Sequence, residues 1–97
     1  MFSARLINHK DTCMLNICDS ELLGRTLNRG SFTLKIREKY YAQKVVEKEE
    51  AKELLRRSDN INMAGKEIIS LSVDLGIGSQ DGVKQIDGVP FLIVFKM

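Results

Sequence analysis

The sequence predicts an α+β fold, with about five mostly antiparallel strands and two helices packed on one face. Three observations carry that expectation. Residues 31–37 alternate apolar and polar at period two, with Phe32, Leu34 and Ile36 on one side. Segment 47–75 changes to the three-and-four spacing of amphipathic helices. Near the end, Asp87-Gly88 stands between two apolar runs, which is the strongest short hairpin signal a sequence offers. With 97 residues the chain is expected to make a single domain, 1–97.

In chain order, residues 2–8 and 12–18 read as paired strands. Phe2, Ala4 and Leu6 share one face of the first, Cys13, Leu15 and Ile17 one face of the second, and His9-Lys10-Asp11 makes the polar turn. Asp19-Ser20-Glu21-Leu22-Leu23-Gly24 reads as a short helical turn, capped by Asp19 and stopped at Gly24. In the 31–37 strand, Thr33, Lys35 and Arg37 face outward. Glu47–Ser58 predicts a helix: Glu47, Glu49 and Glu50 open it and Arg56-Arg57 close it, both favourable to the helix dipole. Its narrow stripe of Ala51, Leu54 and Leu55 lays it on the surface of the core. A second helix is expected over 61–75, where Ile61, Ala64, Ile68, Leu71 and Leu75 follow each other by 3, 4, 3 and 4. Gly76 is its stop, with Ile77 as the apolar contact beyond it. Gly65 inside that stretch costs about 1 kcal/mol relative to Ala, so it predicts a break between helical pieces or a close approach by another backbone. Val83–Ile86 and Val89–Lys96 flank the Asp87-Gly88 turn. The Phe91–Phe95 run is apolar on both faces and belongs centrally or under a helix, with Pro90 marking a strand start or edge.

Composition narrows the function classes. Lys+Arg 15 against Asp+Glu 13 leaves +2, too little to announce a dedicated nucleic-acid domain. One His and two Cys are too few for a zinc site within one chain, and no metal or cofactor is expected. Cys13 and Cys18, five apart on an extended segment, point to opposite faces and read as reduced thiols, Cys13 as a small buried hydrophobe. The N-terminus lacks the basic and apolar regions of a signal peptide, and the longest apolar run, Phe91–Phe95, is far short of a membrane span. A cytoplasmic protein without membrane association is the expectation.

Catalytic patterns are sparse. Gly76-Ile77-Gly78 lacks the third glycine and the preceding strand of a dinucleotide loop, and there is no GxxxxGK[ST] or GxSxG motif. His9 lies in a turn with only Asp11 near it, and the acids of the first helix read as a solvated face. No catalytic residue is assigned. Charge is more informative. Residues 25–48 carry seven cations against Glu38 and Glu47, a local +5 that leaves −3 for the remainder. Arg25, Arg29, Lys35, Arg37 and Lys39, with Tyr41 as a stacking ring, form a candidate nucleic-acid-binding set. The plainer reading is a solvated strand face with edge-protecting lysines. A helix-turn-helix over 47–75 would need base-reading side chains, whereas its second helix offers Lys66, Glu67, Ser70 and Asp74.

Several runs together resemble an archaeal family known only as domain of unknown function 424. They are Cys18-Asp19-Ser20-Glu21-Leu22-Leu23-Gly24-Arg25, then Gly30–Leu34 followed by Tyr40-Tyr41. Beyond these come the helix from Glu49, then Asn62-Met63-Ala64-Gly65 and Gly88-Val89-Pro90. The ordered set covers nearly the whole chain. The resemblance implies an intracellular archaeal protein and brings no activity with it, although it suggests a link to translation or RNA. Where the family continues His-Ala-Gln after Gly-Val-Pro, this chain reads Phe91-Leu92-Ile93, so any function resting on that His is in doubt here.

The sequence thus points first to a non-enzymatic module associated with RNA or with ribosome-associated proteins. A protein-interaction or homodimer module, using a strand edge or the C-terminal apolar segment, is the second reading. A small enzyme or ligand binder, with its loop at Asp19, Arg25 and Pro90, is the third.

Overall fold

The computed structural model describes residues 1–96 and is α+β, with more strands than expected and a mixed sheet. β1 (Phe2–His9) and β2 (Thr12–Asp19) form the expected hairpin, with Lys10 in its turn at φ 56°. A 3-10 turn at Ser20–Leu22 leads into a second hairpin, β3 (Thr26–Arg29) and β4 (Phe32–Lys35). Next come α1 (Glu38–Tyr41), β5 (Lys44–Val46) and α2 (Lys48–Arg57). β6 (Asn60–Ala64), α3 (Lys66–Asp74), β7 (Lys84–Ile86) and β8 (Val89–Phe95) complete the order. Six strands make one sheet, β5-β1-β2-β6-β8-β7, and β3 pairs only with β4. β2 and β6 run parallel, while the other neighbours are antiparallel. A parallel neighbour requires a crossover, and residues 20–59 supply one that includes α2. The expectation of about five strands is therefore corrected to eight among the described residues.

The helix expected over 61–75 is also corrected. Residues 60–64 are a strand, and the helix begins only at Lys66. Ile61 and Met63 point to one face of the sheet and Ala64 to the other, all buried, while Asn60 and Asn62 alternate with the first two and are half-buried. Gly65 makes the junction, at φ 118° and ψ 151°. A Cβ there would lie 2.4 Å from Cγ of Asp19, so the close approach is by a side chain. This removes the helix-turn-helix alternative. At the other end of α3 the stop is as expected: Gly76 N–H donates to the Val73 carbonyl and Ile77 N–H to that of Ser72, the double closure of a left-handed cap.

The two faces of the main sheet are covered differently. Phe2, Ala4, Leu15, Ile17, Ile61, Met63 and Leu92 face α2 and α3, which contribute Ala51, Leu54, Leu55, Ile68, Ile69 and Leu71 to one buried cluster. On the opposite face, Cys18, Ala64 and Val89 are buried with Leu22, Leu27 and Ile36 of the 3-10 turn and second hairpin. Cys13, expected as a buried hydrophobe, is only half-buried, Cys18 is fully buried, and both are free thiols. Phe32 and Leu34, expected inward beside Ile36, are exposed by 78% and 40%. Among the described residues, no helix is long and apolar enough to cross a membrane.

Candidate functional site

The second hairpin and α1 form a wall across the sheet face that the two main helices leave free. They are tied there by polar contacts. The paired rows of the sheet place Arg5, Asn16, Asn62 and Ile93 side by side across it. Arg5 Nη1 donates to the Lys39 carbonyl at 2.6 Å, and Asn16 Nδ2 to the Tyr40 carbonyl at 3.1 Å. Asn62 Nδ2 in turn donates to Asn16 Oδ1 at 2.8 Å. One row of side chains thus donates to two carbonyls of the one-turn helix, the Arg5 guanidinium to Lys39 and the Asn16 amide to Tyr40. At the far side of the wall, Asn28 N–H donates to Oδ2 of Asp87 in the β7–β8 turn.

The six expected nucleic-acid residues fall into separate places. Lys35, Arg37 and Lys39 line one shallow cleft of about 300 Å³ beside Gly24 and Glu38. Arg29 lies by a groove of about 250 Å³ with Leu27, Phe32, Leu34 and Ile86. Arg25 points elsewhere, into the Asp19 cleft described below. All five cations are exposed, and none makes an ion pair among the described residues. The salt bridges are instead those of α2 and its approach: Lys44–Glu50, Lys52–Glu49 and Arg56–Glu53. Tyr41 is half-buried in the second cluster, and that burial holds its hydroxyl above the ordinary tyrosine value. Its neighbour Tyr40 is the exposed ring, with Lys39 Nζ 5.5 Å from its centre.

Beside Tyr41 a cavity of about 440 Å³ opens between wall and sheet. Leu34, Tyr41, Ile86, Phe91 and Ile93 supply its apolar lining, and Asn62 and Lys84 its polar groups. Phe91, standing where the family pattern has His, is thus a half-buried cavity wall. Asn62 and Lys84 were not singled out from sequence. The Asn60-Ile61-Asn62-Met63 alternation was their available signal, obscured by the helical spacing that overlaps it.

Asp19, Arg25 and Pro90 line a third cleft, of about 350 Å³, with Glu21, Lys66 and Glu67. The parallel strands β2 and β6 both end there. Asp19 does not cap the turn that follows it. Its buried carboxylate accepts from Glu67 N–H at 3.0 Å and Ile68 N–H at 2.9 Å, capping α3 instead. Pro90 contributes its carbonyl, which accepts from Gly65 N–H at 2.9 Å. Burial raises the Asp19 carboxyl above the ordinary aspartate value, against the opposing pull of those two donors. Burial and the neighbouring Asp19 push the Cys18 thiol up to about 12, leaving it inert as a nucleophile.

Residues 7–97 match the family described as "Protein of unknown function (DUF424)". A crystal structure of an uncharacterized conserved protein from Methanopyrus kandleri is similar over 99% of this chain and 93% of that one, at 26% identity and a TM-score of 0.78. No curated protein matches the chain.

Proposed function

The chain belongs to the DUF424 family of proteins of unknown function, and from that premise we propose that it is a non-enzymatic RNA-associated module of the archaeal cytoplasm, acting with ribonucleoprotein in translation. One observation carries the reading. The cations of residues 25–39 are exposed and make no ion pair among the described residues, whereas Glu49, Glu50 and Glu53 of the neighbouring α2 are each paired with a cation. Unpaired cations release counterions from a phosphate backbone, and paired ones contribute less. Lys35, Arg37 and Lys39 form the central contact, and Tyr40 adds an exposed ring beside them. Arg25 and Arg29 extend the contact on either side of the hairpin.

The test is binding of single-stranded and structured RNA across a salt series. Affinity is expected to fall steeply with salt, and Lys35→Glu with Arg37→Glu to flatten the slope by roughly 2. Binding that ignores salt, or survives both reversals unchanged, overturns the reading.

A second reading, self-association through the free edge of β4, draws on Phe32 and Leu34, exposed along a strand that is paired on one edge with β3. Light scattering over a concentration series tests it, and a constant monomer mass excludes it.

A further inference from the structure

The cavity beside Tyr41 has a composition that the basic cleft does not explain. Its walls are apolar and aromatic, yet two polar residues also line it, Asn62 and Lys84. Small-molecule sites have this character: a mostly apolar concavity of a few hundred Å³ with a few placed polar groups. Asn62 is oriented before any ligand arrives. Its Nδ2 is committed to Asn16 Oδ1, and Asn16 is in turn committed to the Tyr40 carbonyl. The Asn62 Oδ1 is therefore the end of the relay, and it accepts no hydrogen bond among the described residues. Among the described residues no buried side-chain oxygen or nitrogen lacks a partner, so this oxygen is reachable from the cavity or solvent. Lys84, opposite Phe91 across the β7–β8 pair, is exposed and makes no ion pair among the described residues.

From these features we infer that the cavity takes a single unpaired nucleobase of an RNA strand. The base would lie against Tyr41 and Phe91 and donate an edge N–H to Asn62 Oδ1, with Lys84 at the sugar-phosphate. The inference deepens the proposed RNA association and rests on it. Continuity with the basic cleft supports this occupant. Leu34 and Lys35 are successive residues of β4, so one faces the cavity and the next the cleft; α1 likewise gives Lys39 to the cleft and Tyr41 to the cavity. A strand tracking the cations passes over a wall one hairpin thick. The adjoining groove shares Leu34 and Ile86 with the cavity and ends at Arg29 and Phe32, a cation and an exposed ring suited to the next base.

The experiment compares a short single-stranded oligoribonucleotide with its abasic counterpart of equal length and charge, each titrated onto the full chain at several salt concentrations. The intact strand is expected to bind on the order of tenfold tighter, the usual worth of one stacked base. Asn62→Ala, which removes the hydrogen bond and leaves Tyr41 and Phe91 in place, should narrow that difference by about threefold and leave abasic affinity unchanged. Because Asn62 is half-buried in the sheet, Ile93→Gln at an exposed position of the cavity rim, which leaves the net charge unchanged, serves as the second variant and should also narrow the difference. Equal, salt-dependent binding of both strands overturns the base site and leaves the cationic reading standing. No binding of either strand overturns both. A dimer whose formation is abolished by Ile93→Gln assigns the cavity to a second copy of the chain and also overturns the base site.

Discussion

The two faces of the main sheet are built from alternate residues of the same strands, yet they are finished by different means. On one, α2 and α3 lay apolar stripes over Leu15, Ile17, Ile61 and Met63, which are all but inaccessible to solvent. On the other, a pair of four-residue strands and one turn of helix cover only part of the sheet, leaving Ile93 exposed by 59% and Phe95 by 69%. The helical cover is held by buried area. The hairpin and α1 are held substantially by individual hydrogen bonds, from Arg5, Asn16 and Asn28. Burial of that extent supplies most of a small domain's stability, whereas a polar-tethered cover leaves binding surface beside it. The first face keeps the fold; the second is where ligands have room.

The comparison breaks most sharply at Gly65, where β6 passes into α3. A Cβ there collides with Asp19 and must also adopt a φ of 118°. Gly65→Ala is expected to cost about 4 kcal/mol, combining backbone strain with loss of the Asp19 cap. Urea unfolding measures it, and a cost within the scatter of a surface change would show that α3 is not anchored by this junction. Next in size is Ile17→Ala beneath the helices, expected to cost about 3 kcal/mol because the packed cluster cannot close over the lost volume.

Asp19 gives a smaller, pH-dependent effect. Burial raises its carboxyl above the ordinary value, so the folded chain holds that proton more tightly than the unfolded chain. Its contribution to stability is therefore fullest below the ordinary aspartate value and declines as pH rises through the raised one. Asp19→Asn does not titrate and presents an amide N–H₂ toward one of the two backbone donors, at a cost of about 1 kcal/mol. The advantage of the native chain over Asp19→Asn should shrink as pH rises through that window. An advantage that grows would mean the two N–H donors outweigh burial.

The asymmetry between the faces was only half legible in the sequence. Period two along 31–37 places Phe32 and Leu34 on one side correctly, but periodicity says which residues share a face and nothing about what covers that face. Ile61, Ala64, Ile68, Leu71 and Leu75 satisfy helical spacing although the first two lie on a strand. The Asn60-Ile61-Asn62-Met63 alternation of this five-residue central strand is too short to compete with that spacing, and Gly65 marks where the change falls. β3, β5 and α1 span three or four residues each and leave almost no periodic trace. In the same way Asp19 reads as a local cap because a sequence shows only near neighbours, whereas its partners lie 48 and 49 positions on. Asp19, Arg25 and Pro90 nonetheless meet in one cleft, while the cations meant to act together divide among three.

The smallest expected effect sharpens the comparison furthest. Ile93 and Ile17 are both isoleucines of the main sheet, on opposite faces and on strands separated only by β6. If burial alone divides the faces, Ile93→Ser should change stability by no more than about 0.5 kcal/mol, since the side chain already meets water. The same change should lower the affinity for intact single-stranded RNA while sparing its abasic counterpart, because Ile93 lines the cavity and not the basic cleft. Paired urea and binding titrations read both quantities on one preparation. A stability loss near that of Ile17→Ala would mean that the second face is closed in solution, by a second copy or by a rearranged hairpin, and that its exposed residues are core. Unchanged stability with weakened binding would separate the two faces by purpose as well as by packing.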